Sequence, residues 1–365
     1  MSKRAIAELL LWVVSQVSKI WITPPKKKPA SILVLRNNGL GDLLCVTPLF
    51  EMLRKKFPDA KIYAGIGSWH ENLLQNNPYL TQCVQVNGPW HNQFSDDSSV
   101  FSILKYIFFS PEVRALRKLK FDSALDIVGS IWGSLLFLRL AIPQRLGVNG
   151  YDGGHSSNQL SLVYDPKKHV AQSALDMGRL LQIDELPEPR PQIFISKEEV
   201  CQADRLWSRN SRNRRIVLAP GGSFDEKCWG KENFQEILEM ILTRTDSQVL
   251  IIGGKKDRGM IELEDITPQC RDRTRELTGT LNLRESAALI ATSDIVVCNS
   301  SMPMHLAGAF RKPCLTLLGN WYESSKLHHL QWGYPESIVL GKEVKEGKVM
   351  ITSVDEAFNR FEKLR

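Results

Sequence analysis

Several familiar signatures are missing from this chain of 365 residues. Its seven cysteines (Cys45, Cys83, Cys201, Cys228, Cys270, Cys298 and Cys314) are odd in number and never form a C-x-x-C pair. That argues against a disulfide framework or a structural zinc site and makes a reducing cytosol the natural compartment. No RNP, zinc-finger or basic-region pattern occurs, so nucleic acid is not an expected partner. There is no Walker A loop, no G-x-G-x-x-G, no repeat of fixed period and no low-complexity tract. His328 and His329 are adjacent and would diverge in a strand or helix, so they read as loop histidines and no metal site is expected. The apolar stretch 5–22 is interrupted by Glu8, Gln16 and Lys19. No small-x-small cleavage site precedes the first strand, so a secretory signal is not the reading.

What is present is an ordinary globular composition, 43% hydrophobic and 24% charged, in a length that suits two domains. Lys and Arg number 47 against 40 Asp and Glu, a formal charge of +7, which favours anionic partners. Residues 1–28 form an amphipathic, basic segment ending in the PPKKKP cluster. Its tryptophans and lysines fit an interfacial helix on an anionic leaflet, the competing reading being a helix packed on the protein itself. Short apolar runs then alternate with helical patterns. SILVLR (31–36), KIYAGIG (61–67), CVQVN (83–87), SALDIVG (123–129) and RLGVN (145–149) read as strands. The proline-rich stretch 184–192 reads as a linker. A second series follows with strands at 215–219, 248–254, 294–299 and 313–319, helices at 232–244, 258–266, 283–293 and 304–310, and a final helix at 354–364. Strands separated by helices, rather than by tight turns, predict parallel βαβ units. The expected divisions are 1–28, 29–183, the linker 184–192, 193–340, and a tail with its helix at 341–365. The fold class is α/β, with two Rossmann-like domains and a cleft between them.

Ligands of open α/β sheets collect at the carboxyl ends of strands, so the strand-to-helix loops carry the candidate sites. In Asn37-Asn38-Gly39-Leu40-Gly41-Asp42 the glycines permit a tight turn and Asp42 stands at the start of the helix, either as a plain cap or as a proton acceptor for a hydroxyl. In Pro220-Gly221-Gly222-Ser223, followed by Lys227, glycines allow close approach to a phosphate and a lysine neutralises it; the competing reading is a solvated turn. In Asn299-Ser300-Ser301-Met302-Pro303-Met304-His305 the serines could cap a helix whose free N–H groups would also bind an anion, and His305 is a packed histidine or a ligand contact. Lys255-Lys256-Asp257-Arg258 reads as a solvated charge run.

VLRNNGLGDLLCVTPLFEMLRKKFPDAKI, LAPGGSFDEKCWGKENFQEIL and SDIVVCNSSMPMHLAGAFRKPCLTLLG occur in this order. Together they resemble the bacterial heptosyltransferases of glycosyltransferase family 9 over most of residues 31–320. The resemblance implies a GT-B fold whose two parallel sheets face each other across the cleft, the acceptor held by the first domain and a nucleotide-sugar by the second. It also implies transfer of heptose from ADP-heptose to the lipopolysaccharide inner core with inversion, no cofactor and no essential metal. Asp42 matches the proposed general base, with Asn38, Gly39 and Gly41 in its acceptor-side loop. Lys227 matches a lysine that contacts donor phosphate, Gly221, Gly222 and Ser223 the donor-side loop, and His305 the histidine of a D-[ST]-G-x-x-H motif. In that motif the chain has Ser300 for the aspartate, Ser301 for the hydroxyl residue and Met302 for the glycine. These departures motivate the alternative of a catalytically impaired nucleotide- or glycan-binding relative. The implied partners are a nucleotide-sugar and an anionic glycan or glycolipid acceptor; the amphipathic residues 5–28 add a membrane surface, at the inner face of the cytoplasmic membrane, as a further expected partner.

Overall fold

Continuous runs of aliphatic residues make strands buried on both faces, and such strands belong in parallel sheets covered by helices on either side. Every residue of Ser31–Leu35 and of Ile295–Asn299 is buried. A computed structural model describes residues 2–92, 95–207, 213–344 and 348–364. It divides the chain into two units, Met1–Pro189 and Arg190–Arg365, and the boundary falls inside the proline-rich stretch 184–192.

The first unit runs α1 (Lys3–Ser18), β1 (Ser31–Leu35), α2 (Leu40–Lys56), β2 (Lys61–Ile66), β3 (Gln82–Gln85), α3 (Val100–Phe109), α4 (Pro111–Lys118), β4 (Ser123–Asp126), α5 (Ile131–Arg139), β5 (Gln144–Asn149), β6 (Leu160–Val163) and α6 (Val170–Arg179). Its strands form one parallel sheet in the order β3-β2-β1-β4-β5-β6. Right-handed crossovers put helices on opposite faces according to the direction of travel along the sheet. α2 and α6 pack together, whereas α3, α4 and α5 cover the side of Leu33 and Leu35 with Ile103, Ile107, Val113, Leu136 and Phe137.

α1 is mounted on this unit by a polar stripe. Glu8 accepts the amides of Gly154 (2.6 Å) and Ser156 (3.1 Å), and buried Arg145 donates to the Ser15 hydroxyl (3.3 Å). Burial works against the Glu8 charge, yet the Ser156 and Gly154 hydrogen bonds outweigh it and hold the carboxyl below its ordinary value. Leu11, Ser15 and Ser18 are buried on the same stripe. The amino-terminal segment is therefore part of the first unit, and the competing reading of a helix packed on the protein holds for this one face.

The second unit runs α7 (Lys197–Asp204), β7 (Arg215–Ala219), α8 (Lys231–Arg244), β8 (Gln248–Ile251), α9 (Pro268–Arg271), β9 (Thr274–Glu276), α10 (Leu283–Ala291), β10 (Ile295–Asn299), α11 (Met302–Ala309), β11 (Cys314–Leu317), α12 (Ser325–Trp332), β12 (Ser337–Leu340) and α13 (Val354–Glu362). Its parallel order is β12-β11-β10-β7-β8-β9. Read from β9, this repeats the topology of the first unit, the doubly wound order of a Rossmann domain. Val354, Ala357, Phe358 and Phe361 of α13 enter its core beside Trp229, Phe234, Ile295, Val297 and Leu315. The carboxy-terminal helix thus closes the second core rather than standing apart as a tail. The stretch 258–266, expected as a helix, is not one. Gly259 takes a left-handed φ of +73°, and the chain forms two short 3-10 turns, Lys255–Asp257 and Leu263–Asp265. No helix among the described residues is long and apolar enough to cross a membrane.

Candidate active site

In doubly wound sheets the ligand crevice lies where the strand order reverses, beyond the carboxyl ends of the two central strands. In the first unit these are β1 and β4, and the loop leaving β1 carries the Asn37–Asp42 segment. Gly39 caps α2 without a side chain, so Asp42 in the first turn supplies the negative charge that the helix start favours. A Cβ on Gly39 would lie 2.6 Å from the Asp42 carboxylate, so the glycine leaves that carboxylate its place. Arg36, buried at the end of β1, approaches Asp42 to 3.2 Å, and the Asn38 amide donates to its other oxygen at 3.1 Å. Asp42 keeps 28% of its side-chain surface exposed.

The loop leaving β4 offers a second carboxylate with a different fate. Asp126 is buried and accepts the amides of Val128, Gly129 and Ser130. It serves the backbone, while Asp42 is both oriented and open to solvent. Beneath the Asp42 loop, sequence reasoning missed two residues. Trp69 donates to the Asn38 carbonyl (3.3 Å). His70 is wholly buried, and burial pushes its pKa down to about 4 against the opposing Gly39, Gly67 and Asn38 backbone. It is a neutral brace. Gly41 lies in the first turn of α2.

The second unit builds its site from the loops leaving β7 and β10, again the two central strands. Asn299 stitches them together. Its side-chain carbonyl accepts the Trp229 amide (2.9 Å), and its side-chain amide donates to the carbonyls of Pro220 (2.5 Å) and Gly221 (3.3 Å). Gly221 is needed because a Cβ there would overlap the carboxylate of Asp257, and one on Gly222 would crowd the Cys228 sulfur. Lys256 donates to the carbonyls of Gly222 (2.5 Å) and Ser223 (3.2 Å), and Asp257 accepts the Gly254 amide (2.7 Å). The expected solvated charge run is thus a clamp on the glycine loop. Ser223 is exposed. Lys227 closes a 3-10 turn with its ammonium 4.9 Å from the Phe224 ring centre, and makes no ion pair among the described residues.

At the start of α11, Ser301 occupies the cap position without a capping bond from its side chain, and Met302 begins the helix. None of Ser300, Ser301 and Met302 has a positive φ, so a methionine in place of glycine strains no backbone here. Ser300 is 2.6 Å from Nε2 of His328 and also hydrogen-bonds Tyr322, whose ring stands edge-on to that imidazole at 4.8 Å. His328 is not in a loop, as expected, but buried in α12. Burial, with His305, His329 and Lys227 adding to it, pushes its pKa down to about 3. His305 is buried, with Nδ1 3.0 Å from the Tyr334 hydroxyl and its ring 5.7 Å from Trp332, which is the packed reading. Among the described residues no group of three His, Cys, Asp or Glu could hold a metal ion.

Each unit therefore presents helix starts and polar loops at its switch point, with Asp42 in the first unit and Lys227 in the second. The profile of glycosyltransferase family 9 (heptosyltransferase) matches residues 112–330. The lipopolysaccharide heptosyltransferase 2 of Escherichia coli K12 is 24% identical over 300 residues, 79% of this chain and 82% of that protein. The solved structure of the E. coli ADP-heptose lipopolysaccharide heptosyltransferase II superposes with a TM-score of 0.71 at 22% identity, covering 92% of this chain and 98% of that one. A family 9 glycosyltransferase from Veillonella parvula gives 0.73 at 20% identity, covering 94% and 99%. These likenesses identify the fold as that of GT-B heptosyltransferases. The chain belongs to glycosyltransferase family 9, the heptosyltransferase family.

Proposed function

We propose that the protein transfers heptose from ADP-heptose to a lipopolysaccharide-core acceptor, with inversion and with Asp42 as general base. The observation that carries this reading is the Asp42 carboxylate, oriented by Arg36 and Asn38 yet partly exposed. The acceptor hydroxyl gives its proton to Asp42 and its oxygen bonds to the anomeric carbon. The bond from that carbon to the diphosphate breaks, and its electron pair leaves with ADP. Lys227 and the amides of the loops leaving β7 and β10 stabilise the leaving charge, with Gly221, Gly222, Ser223, Ser300, Ser301 and Met302 lining the donor side. His305 contributes by fixing α11 against Tyr334. The names of the relatives support the donor and the acceptor. The reaction draws on no cofactor, and its place is the cytoplasmic side of the inner membrane, with α1 on the leaflet.

A second reading, a binding protein with impaired chemistry, is favoured by the engagement of Ser300 with a neutral His328 where the family motif has an aspartate. Calorimetric titration with ADP, GDP, UDP and CMP, followed by transfer from ADP-heptose to a heptose-deficient core, separates the two. Preferential ADP binding with transfer supports the enzyme. Binding without transfer supports the second reading, and preference for another nucleotide overturns the donor.

A further inference from the structure

α1 is mounted inside out. Its docked stripe is Glu8, Leu11, Ser15 and Ser18, three of them polar, while Ile6, Leu9, Leu10, Trp12, Val13, Val14 and Val17 are exposed. In water a helix buries its apolar stripe, so this arrangement requires an apolar partner outside the unit. A second helix repeats the feature. α3 buries Ile103 and Ile107 but exposes Val100, Phe101, Phe108 and Phe109, with Phe101 78% and Phe109 73% exposed. Both helices pack on α5, which has no exposed residue of its own. The two apolar faces therefore belong to helices that share α5 as a neighbour in the first unit.

The charges name the partner. Residues 2–30 carry Lys3, Arg4, Lys19, Lys26, Lys27 and Lys28 against the single acid Glu8, whose carboxylate is turned inward, and of these cations Lys26 pairs with Asp122 at 2.8 Å. On α3, Lys105 is exposed one turn from both Phe101 and Phe109, a spacing that lets its stem lie along the rings while its head reaches an anionic headgroup. Asp96 and Asp97 precede α3, and Asp97 is occupied by the Ser99 amide (2.8 Å).

We propose that α3 is a second membrane-inserting element, so that the protein grips an anionic leaflet through a composite α1–α3 surface. This rests on the leaflet reading of α1 and extends it to a helix about eighty residues further along the chain. Two shallow apolar wedges with a basic rim are the combination that makes interfacial binding stable where one alone is marginal.

The test is flotation of the full chain with phosphatidylcholine vesicles, with and without phosphatidylglycerol. The wild type should float with anionic vesicles, and Phe101→Asp/Phe109→Asp should lower partitioning about tenfold or more. Because both rings are exposed, the melting temperature should stay unchanged. Leu10→Asp/Val14→Asp should act similarly. If only the α1 variant loses binding, the composite surface is overturned while the α1 reading stands. If the wild type does not float, both are overturned. If the α3 variant instead turns a dimer into a monomer without touching vesicle binding, the α3 face joins two copies of the chain and the proposal fails.

Discussion

Lys227, His70 and His328 show what single residues do in the two units. Lys227 makes no ion pair among the described residues, so Lys227→Ala should weaken ADP binding about 10- to 100-fold while leaving acceptor affinity intact. Unchanged ADP affinity by calorimetry would place the diphosphate elsewhere. Two of the buried histidines, His70 and His328, set a pH dependence. Burial holds His70 at about 4 and His328 at about 3, both below the ordinary 6.5. Between those values and 6.5 the unfolded chain binds protons that the folded chain does not. Stability is thus full above 6.5 and falls with decreasing pH, by up to about 1.4 kcal/mol per pH unit for each histidine. His328→Gln should flatten that acid limb in urea titrations, and an unchanged slope would contradict the assignment. The placement of Asp42, Lys227 and the glycines in loops after β1 and β7 is legible in the sequence because their spacing after a strand is local. The roles of His328 and Lys256 are not, because their partners Ser300 and Gly222 lie 28 and 34 residues away.

At the scale of elements, the central strands β1, β7 and β10 are readable because burial on both faces makes them continuous aliphatic runs. The edge strands β6 and β9 are not: LSLV is half exposed and TRE is polar. α2 contains Pro48, which has no N–H for the Leu44 carbonyl, and the Thr47 hydroxyl donates to that carbonyl instead (2.6 Å). The docking of α1 hangs on Glu8. Glu8→Ala leaves the Gly154 and Ser156 amides without their acceptor, a cost of about 1–3 kcal/mol. Hydrogen exchange in α1 should accelerate and trypsin should cut more readily after Lys19, Lys26 and Lys27, with the sheet unaffected. Unaltered exchange in α1 would show that another contact holds it.

The whole molecule repeats one topology twice, and in each copy the candidate loops leave the strands where the order reverses. This much follows from alternating strand and helix patterns and from the position of the loops. The polar stripe that mounts α1 does not, since a helix with its apolar side outward violates the pattern from which helices are read. The central claim is that an oriented, partly exposed carboxylate on the first unit activates the acceptor. The most direct measurement is single-turnover transfer from ADP-heptose by Asp42→Asn, which keeps the size of the side chain. The account predicts a rate about 10²–10⁴-fold lower with ADP affinity unchanged. Near-normal transfer by the Asn variant would contradict it.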